Sequence, residues 1–254
     1  MDKAFLFILC SAMLFSCKKE KKSQELESNS QLLRKVIFSS EGLSYEVVAY
    51  QYNNEGKIIA EGDKTYIRDS QQRIVEILDP GTPTNRKDIK VYYRFQDKNK
   101  VDYTICNMAD GVKDSVRYVR DNLERIEKTI SYVSYSSSSL SPDTTLLSHY
   151  DVYAYSQEGN LIRIDLYNIN QGQVVLCGRY IFSGYDKMIN PQFSDDEVRT
   201  IQYYLDGTMN ASKNNFASGN GYFKTYEYRT DGRPRSCTVQ KTGAYAFQLI
   251  FEYR

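Results

Sequence analysis

The sequence predicts an all-β protein, an antiparallel meander of repeated hairpins that forms a large curved sheet or an open barrel. Three observations indicate this class. Tyrosine is unusually frequent, with 23 residues among 254, while tryptophan is absent. Tyrosines followed two residues later by an aromatic residue or arginine recur along the chain, each ahead of a short polar stretch. Beyond several of these stretches apolar and polar residues alternate, which is typical of a strand with one buried face.

The overall composition limits the classes of function. The chain has 33 basic and 32 acidic residues, a formal net charge of +1. This balance gives no broad basic surface, so we expect no nucleic-acid partner. His149 is the single histidine, which excludes zinc sites or catalytic triads that need several imidazoles. No metal or cofactor motif is present in the sequence, and we expect neither.

Residues 1–16 are predicted to form a cleaved signal peptide. The apolar run from Ala4 to Phe15 is too short for a stable transmembrane helix, which needs about 20 apolar residues. The run leads into Leu14-Phe15-Ser16-Cys17, which resembles the lipobox of bacterial lipoproteins. That resemblance implies cleavage before Cys17, lipidation of its thiol and a membrane contact through this anchor. The alternative is an ordinary secretory signal with an incidental cysteine.

The anchor is followed by a flexible tether, residues 17–30, and then by one all-β repeat domain, residues 31–254. The tether is polar and has too little apolar content to fold. In lipoproteins that resemble those of Bacteroidota, paired acidic residues just after the cysteine indicate export to the cell surface. Here Glu20 stands alone among lysines, which favours an outer-membrane lipoprotein that faces the periplasm over one that is surface-exposed.

The repeat has one pattern in seven copies. A tyrosine is followed by any residue, an aromatic residue or arginine, four mostly polar residues, a basic residue or asparagine, and an apolar residue or proline. The first tyrosines are Tyr50, Tyr66, Tyr93, Tyr118, Tyr153, Tyr180 and Tyr226. Two side chains two residues apart share a strand face, and a glycine such as Gly56, Gly159 or Gly232 suits a tight turn. We therefore expect seven hairpins and a closing strand that contains Phe251 and Tyr253.

Alternation after the turns supports the return strands. Ile162, Ile164 and Leu166 are expected on one face, and Arg163 and Asp165 on the other. The C-terminal segment has a longer apolar face, made of Tyr245, Phe247, Leu249, Phe251 and Tyr253.

The copy from Tyr153 to Leu161 (YAYSQEGNL) and the copy from Tyr226 to Arg233 (YEYRTDGR) resemble the tyrosine-aspartate (YD, or RHS) repeat. Its core is Tyr-x-Tyr-Asp-x-x-Gly-Arg-Leu. The copies here are degenerate, since the aspartate is kept only as Asp69 and Asp121, and their spacing is uneven. In length and layout the chain is more similar to small Bacteroidota lipoproteins of unknown function with open or porin-like β-barrels. This resemblance implies a fold and an envelope location but no activity.

Interruptions of the pattern predict loops and one helix. Ser136 to Pro142 is expected as a long hairpin tip and Asp79 to Pro83 as a tight connection. The widest gap begins at Pro191, and its last part, 210–221, is expected as loop. A capping box at 194–197, with Val198, Ile201 and Leu205 at helical spacing and Gly207 at the C-terminus, predicts one short helix near 194–206. The alternative is a strand through Arg199, Ile201 and Tyr203.

Three cysteines are left after cleavage and lipidation. We expect Cys106, Cys177 and Cys237 to be buried as small apolar residues, because each lies in an apolar run.

Four functions compete. The favoured one is non-catalytic binding or scaffolding in the cell envelope, with a protein or glycan partner. The alternative is a carrier of a lipid or another apolar ligand in a half-open barrel, with 191–221 as a lid. An enzyme is not expected, because His149 and Asp151 share a strand face but no nucleophile is implicated. A transmembrane barrel is disfavoured by the lipobox, by short segments such as Lys64 to Arg68, and by charges on both faces of several strands.

Overall fold

The fold is seen in a computed structural model that describes residues 32–41, 43–81, 87–94, 96–108, 112–135, 144–193, 196–202, 212, 214–219, 221–243 and 246–254. The structural statements below refer to these residues. The signal peptide, Cys17, the tether and the Ser136 to Pro142 segment lie outside them.

Sixteen described strands form one closed antiparallel barrel, in which each strand pairs with its neighbours along the chain and the first pairs with the last. The strands are β1 (Leu33–Ser40), β2 (Leu43–Tyr52), β3 (Ile58–Glu61), β4 (Lys64–Arg68), β5 (Ile74–Asp79), β6 (Lys87–Tyr93), β7 (Val101–Met108), β8 (Val112–Arg120), β9 (Ile126–Tyr135), β10 (Thr144–Tyr155), β11 (Leu161–Asn170), β12 (Gln173–Ser183), β13 (Ser218–Gly219), β14 (Tyr222–Tyr228), β15 (Pro234–Lys241) and β16 (Phe247–Tyr253). The predicted all-β hairpin meander is confirmed, and the sheet closes.

Six hairpins at one end of the barrel, which we call the bulged end, share the same irregularity. In the first, Gln51 pairs with Ala60 and Tyr52 pairs with Ile58, so that Ile59 has no partner across the strands. The same second residue of the return strand is skipped in the other five, at Val75, Asp102, Glu127, Ile162 and Arg235. A bulge bends a strand and increases its twist, so six in register at one end help the sheet to curve and close.

Five of the six turns use the predicted position for a left-handed residue. Gly56, Gly159 and Gly232 have φ values of 76°, 85° and 79°, a region that glycine enters without steric cost. Gln72 and Glu124 hold the same position with φ of 63° and 61°. In the turns of these two residues an aspartate side chain accepts two backbone N–H bonds and so supports the less favourable conformation.

The second position of the repeat ties five of the six hairpins, and the closing strand β16, to an earlier strand; in the sixth hairpin the hydroxyl of Tyr228 donates instead to the Asp186 carboxylate. The hydroxyl of Tyr52 donates to the carbonyl oxygen of Leu33 at 2.7 Å, and that of Tyr253 donates to Pro234 at 2.9 Å. Equivalent bonds start from Tyr93, Tyr155, Arg68 and Arg120 and end on the first residue of a preceding return strand. The pattern therefore requires a donor at this position, which explains why arginine replaces tyrosine in two copies.

One of these bonds gives a stability prediction. Tyr253→Phe should lower the free energy of unfolding by about 1 kcal/mol, since it removes one hydrogen bond and little else. Urea denaturation measures this change. Tyr103→Phe is the matched control, because the Tyr103 hydroxyl has no hydrogen-bond partner among the described residues. Equal stability of the two variants would contradict the role given to the second-position hydroxyls.

Two copies of the repeat depart from the prediction. Tyr93 pairs with Val101 as Tyr52 pairs with Ile58, so Tyr93 holds the second position and Val91 the first. The Tyr180 copy forms no hairpin, because Phe182 pairs with Gly219 of β13 and the chain leaves the sheet between them. The seven predicted hairpins of this type are therefore six, and the described residues between β12 and β13 (184–193, 196–202, 212 and 214–217) belong to an insert.

The return strand β11 also departs from simple alternation. Ile164 is 1% exposed but Ile162, at the bulge, is 38% exposed. Arg163 and Asp165 lie together on the face opposite Ile164, as predicted, and Asp165 is buried there beneath ion pairs with Arg163 at 3.1 Å and Arg179 at 2.5 Å. The bulge removes Ile162 from the face that the sequence pattern assigned to it.

The other strand predictions have mixed outcomes. In β16, Leu249 and Phe251 are buried, and Phe247 and Tyr253 are half-buried, which confirms the predicted face; Tyr245 lies outside the described residues. Of the cysteines, Cys237 is buried, Cys106 is half-buried and Cys177 is exposed. The prediction of burial was wrong for Cys177, which lies at the β12 position skipped between Leu176 and Gly178 in the pairing with β11.

The described part of the insert contains one helix, α1 (Glu197–Gln202), which confirms the predicted helix over the alternative strand. Val198 and Ile201 are buried, while Leu205 and Gly207 lie outside the described residues. Glu197 accepts hydrogen bonds from Arg120 at 2.5 Å and from the Val101 backbone at 2.9 Å. The helix is thereby fixed to the bulged end through a residue that the sequence had assigned to a capping box.

Candidate functional site

The two sides of the barrel wall differ in chemistry. Buried residues such as Tyr66, Ile77 and Thr104 lie on the inner face, and residues directly paired across strands share a face. The residues between them lie on the outer face. Charged side chains occur on this outer face all around the barrel, at Lys35, Glu46, Glu76, Asp88, Lys90, Lys113, Arg117, Lys128, Arg163, Arg179, Glu227 and Glu252.

The outer face also carries a continuous row of large side chains. Strand pairing places them side by side across seven consecutive strands, β6 to β12. The row, called the tyrosine row below, consists of Tyr92, Tyr103, Arg117, Ile130, Tyr150, Tyr167 and Leu176. With neighbouring strands about 4.8 Å apart, it extends for roughly 30 Å around the wall. None of its four tyrosines holds a position of the repeat.

The four tyrosines of this row form two stacked pairs. The ring centroids of Tyr92 and Tyr103 are 4.4 Å apart with an interplanar angle of 10°, and those of Tyr150 and Tyr167 are 4.8 Å apart at 19°. The ammonium of Lys128 lies 3.8 Å from the centre of the Tyr150 ring. Neighbouring side chains therefore cover ring faces of both pairs, and the ring edges and hydroxyls remain for contact with a partner.

The hydroxyls distinguish this row from the tyrosines of the repeat. In the described part of the chain none of the four hydroxyls of the row has a hydrogen-bond partner, whereas those of Tyr52, Tyr93 and Tyr253 are bonded to backbone carbonyls. Exposed apolar side chains continue the surface on β10 to β12, at Leu147, Val174, Leu176 and Ile181. Large apolar areas next to polar groups are typical of contact surfaces.

The inner wall contains the residues that the sequence singled out for catalysis. His149 pairs with Ser131, and Asp151 pairs with Thr129, so both side chains lie on one face as predicted. Asp151 accepts hydrogen bonds from Tyr153 at 3.3 Å and from Thr129 at 3.5 Å. The Nδ1 atom of His149 instead contacts Ser148 at 3.2 Å. Within the described residues His149 and Asp151 are not hydrogen-bonded to one another.

The Asp151 carboxyl gives a pH prediction. Burial raises its pKa, against the opposing effects of His149 and of the Tyr153 and Thr129 hydrogen bonds. A carboxyl with a raised folded-state pKa has no effect on stability below its unfolded-state pKa. The destabilisation grows as pH rises from that value to the folded-state pKa, and it is complete above the folded-state pKa.

Asp151→Asn should therefore raise the melting temperature relative to the natural protein at neutral pH, with the difference vanishing below the ordinary aspartate pKa. Thermal unfolding followed across acidic to neutral pH measures it. A constant difference at every pH would contradict this assignment.

Two other classes of site receive no support from the residues described. Among them, no group of three or more histidine, cysteine, aspartate or glutamate side chains is arranged to hold a metal ion. None of the helices in this part of the chain has the length and apolar character needed to cross a membrane.

Comparisons with known proteins relate the fold to other barrels. No family model and no curated protein sequence matches the chain. A porin-like protein from Bacteroides vulgatus is similar in structure, with a TM-score of 0.55 and 12% identity over 88% of this chain and 98% of that one. For a porin-like protein from Bacteroides uniformis the TM-score is 0.48 and the identity 9%, over 87% of this chain and 96% of that one. For a Tc holotoxin pore structure from Photorhabdus luminescens the TM-score is 0.30 and the identity 15%, over 81% of this chain and 10% of that one.

The first of these similarities carries the structural conclusion. Its coverage of both chains shows that the barrel has a porin-like fold, which confirms this part of the resemblance drawn from the sequence.

Proposed function

We propose that this protein is a lipid-anchored component of the cell envelope with a non-catalytic binding or scaffolding role. In this proposal Cys17 carries the lipid, the degenerate YD-like hairpins build the barrel, and the protein faces the periplasm from the outer membrane. The observation that supports binding is the tyrosine row. Its four tyrosine hydroxyls form no hydrogen bond within the described fold, although they lie in one row, as one pair on β6 and β7 and a second pair on β10 and β11.

The geometry of this row favours a protein over a glycan as partner. A sugar stacks on an open aromatic face, but faces of Tyr92, Tyr103, Tyr150 and Tyr167 are covered by one another, and Lys128 lies over Tyr150. Tyrosine edges and hydroxyls beside exposed aliphatic side chains are typical of protein interfaces. A length of roughly 30 Å also suits an ordinary interface of about 800 Å² per partner.

The outer face supports a lipid anchor as the membrane contact. Charged side chains on the outer face of a barrel cost up to about 2–4 kcal/mol each at the centre of a bilayer. Here Glu76, Lys90, Arg117 and Lys128 lie on the outer face of four different strands. A wall of this composition is suited to water, so the proposed anchor at Cys17 holds a barrel that lies outside the bilayer.

Photo-cross-linking in cells tests the partner surface. A photoreactive residue is placed in the full chain at Tyr103 or at Val174, and, as a matched control, at Gln51 or Thr238 on the outer face elsewhere. We expect a discrete protein adduct from the first two positions and none from the controls. The variant Tyr150→Ser with Tyr167→Ser should reduce the adduct from Val174 roughly tenfold, since interface tyrosines often contribute more than 1 kcal/mol each.

Two results would overturn the proposed surface. One is equal cross-linking at the row and at the control positions. The other is an adduct at the row that glycan-cleaving enzymes remove, because the partner would then be a glycan.

The carrier alternative would place its ligand against the inner wall of the barrel. An apolar ligand needs apolar walls, but Thr104, Thr129, Ser131 and Asp151 lie on the inner face, which favours the binding role. Displacement of a fluorescent fatty acid from the purified protein distinguishes the two. Saturable binding that is lost when the inner residue Leu146 is changed to Asp would favour the carrier.

A further inference from the structure

A second feature with binding chemistry is a cavity of about 260 Å³ at the bulged end, between the insert and the turn that joins β2 to β3. Its lining includes Tyr52, Lys57 and Ile58 from the first hairpin, Asp196 and Arg199 from the insert, and Arg233 from the turn before β15. None of these residues belongs to the tyrosine row, so this site is independent of the proposed partner surface.

The charge of the lining is predominantly positive. Among the described lining residues three side chains are basic and one is a carboxylate, and that carboxylate is engaged elsewhere: Asp196 accepts two hydrogen bonds from Arg68, at 2.6 and 3.3 Å. Arg68 is not part of the lining. The carboxylates that pair with Arg199 and Arg233, those of Glu61 and Asp231, lie outside the described lining, at 3.8 and 3.9 Å.

Arg199 is the buried centre of this charge. It is 5% exposed, and its Nε atom has no hydrogen-bond partner among the described residues. The nearest carboxylate oxygen, Oε2 of Glu61, is 3.8 Å from Nε and already accepts a bond from Tyr66 at 2.7 Å. A buried guanidinium normally has its N–H groups bonded to acceptors, so Arg199, which lines the cavity, is incompletely satisfied by the described residues.

The other two cations are also weakly neutralised. No carboxylate of the described residues lies within ion-pair distance of Lys57. The side chain of Arg233 is 17% exposed, and its ion pair, with Asp231, is long at 3.9 Å. Apolar side chains complete the lining, among them Ile58, Pro191 and Phe193.

We propose that this cavity binds a small organic anion, whose carboxylate or phosphate group is held by Arg199, Lys57 and Arg233 and whose short apolar body packs against the insert. Guanidinium groups bind both kinds of oxyanion through paired N–H donors. The volume is below the 300–1,000 Å³ or so usual for drug-sized ligands, which limits the body to one ring or a short chain.

Calorimetric titration of the full chain tests this site with three probes of similar shape. Benzoate and phenyl phosphate carry the two candidate anions, and benzyl alcohol is the neutral analogue. We expect millimolar or tighter binding of at least one anion, about tenfold or more above benzyl alcohol, since hydrogen bonds to charged groups contribute about 1.5–3 kcal/mol. Preference for benzoate assigns a carboxylate ligand, and preference for phenyl phosphate assigns a phosphate ester.

Variants locate the binding. Lys57→Gln combined with Arg233→Gln should weaken binding of the preferred anion roughly tenfold, and Arg199→Gln should weaken it further. Because Arg199 is buried and its replacement can impair folding, the rim pair provides the decisive comparison. Lys113→Gln, on the outer face of β8, is the matched control and should leave binding unchanged. Equal binding of benzyl alcohol, no anion binding, or unchanged affinity in the rim pair would overturn the proposal.

Discussion

Glu197→Ala should lower the free energy of unfolding by about 3–5 kcal/mol, the largest effect expected for a single polar side chain here. The carboxylate accepts bonds from Arg120 at 2.5 Å and from the Val101 backbone at 2.9 Å, and it pairs with Lys100 at 3.0 Å. The Arg120 side chain is 3% exposed. Removal of its partner would leave a buried cation without a counter-charge and would release the insert from the bulged end.

Urea denaturation measures this loss, and limited proteolysis of the insert reports its release. Glu124→Ala is the control, because Glu124 is 55% exposed and pairs with Arg94 at 3.2 Å on the surface. A surface ion pair contributes about 0–1 kcal/mol. If Glu197→Ala were no more destabilising than this control, the insert would not be held by the contacts described.

Ile164→Ala should destabilise the barrel by about 2–5 kcal/mol, whereas Ile162→Ala should cost less than about 1 kcal/mol. The two positions are two residues apart on β11, yet Ile164 is 1% exposed and Ile162 is 38% exposed. Truncation of the first leaves a cavity in the core, and truncation of the second mainly removes surface contact.

The same denaturation experiment on both variants tests the bulge as well as the core. Equal losses would mean that Ile162 and Ile164 share a buried face, as simple alternation predicts, and would contradict the bulged pairing of Tyr155 with Leu161.

The hairpins at the bulged end could be predicted because their signals are local. Tyr50, the turn glycine Gly56 and the apolar Ile58 lie within one short segment, and each has its role in that segment alone. The bulge itself left no such signal. Strict alternation across the bulge therefore misplaces Ile162.

The tyrosine row could not be predicted, because its members come from strands far apart in sequence. Tyr92 and Tyr103 face one another only when the register of β6 and β7 is known, and each bulge shifts that register by one residue. The sequence shows only that these tyrosines fall outside the repeat, so that the repeat does not explain why they are present.

The contacts of the insert had a readable signal that sequence reasoning missed. Arginine replaces the aromatic residue at the second position in two copies, as Arg68 and Arg120. The only helix predicted carries Asp196 and Glu197 in its first turn, and these are the partners of the two arginines. The arginines depart from the repeat, and the acidic residues lie in the segment that interrupts it. Their opposite charges, taken together, indicate a contact between the two parts of the chain.

Membrane partition tests the proposed lipid-anchored barrel outside the bilayer most directly. Cells express either the full chain or a form in which an ordinary secretory signal replaces residues 1–17, and their membranes are extracted with carbonate and urea. We predict that the full chain stays with the membrane and that the form without Cys17 is released as a soluble, folded protein. Retention of the second form after extraction, or release of the first, would contradict the account.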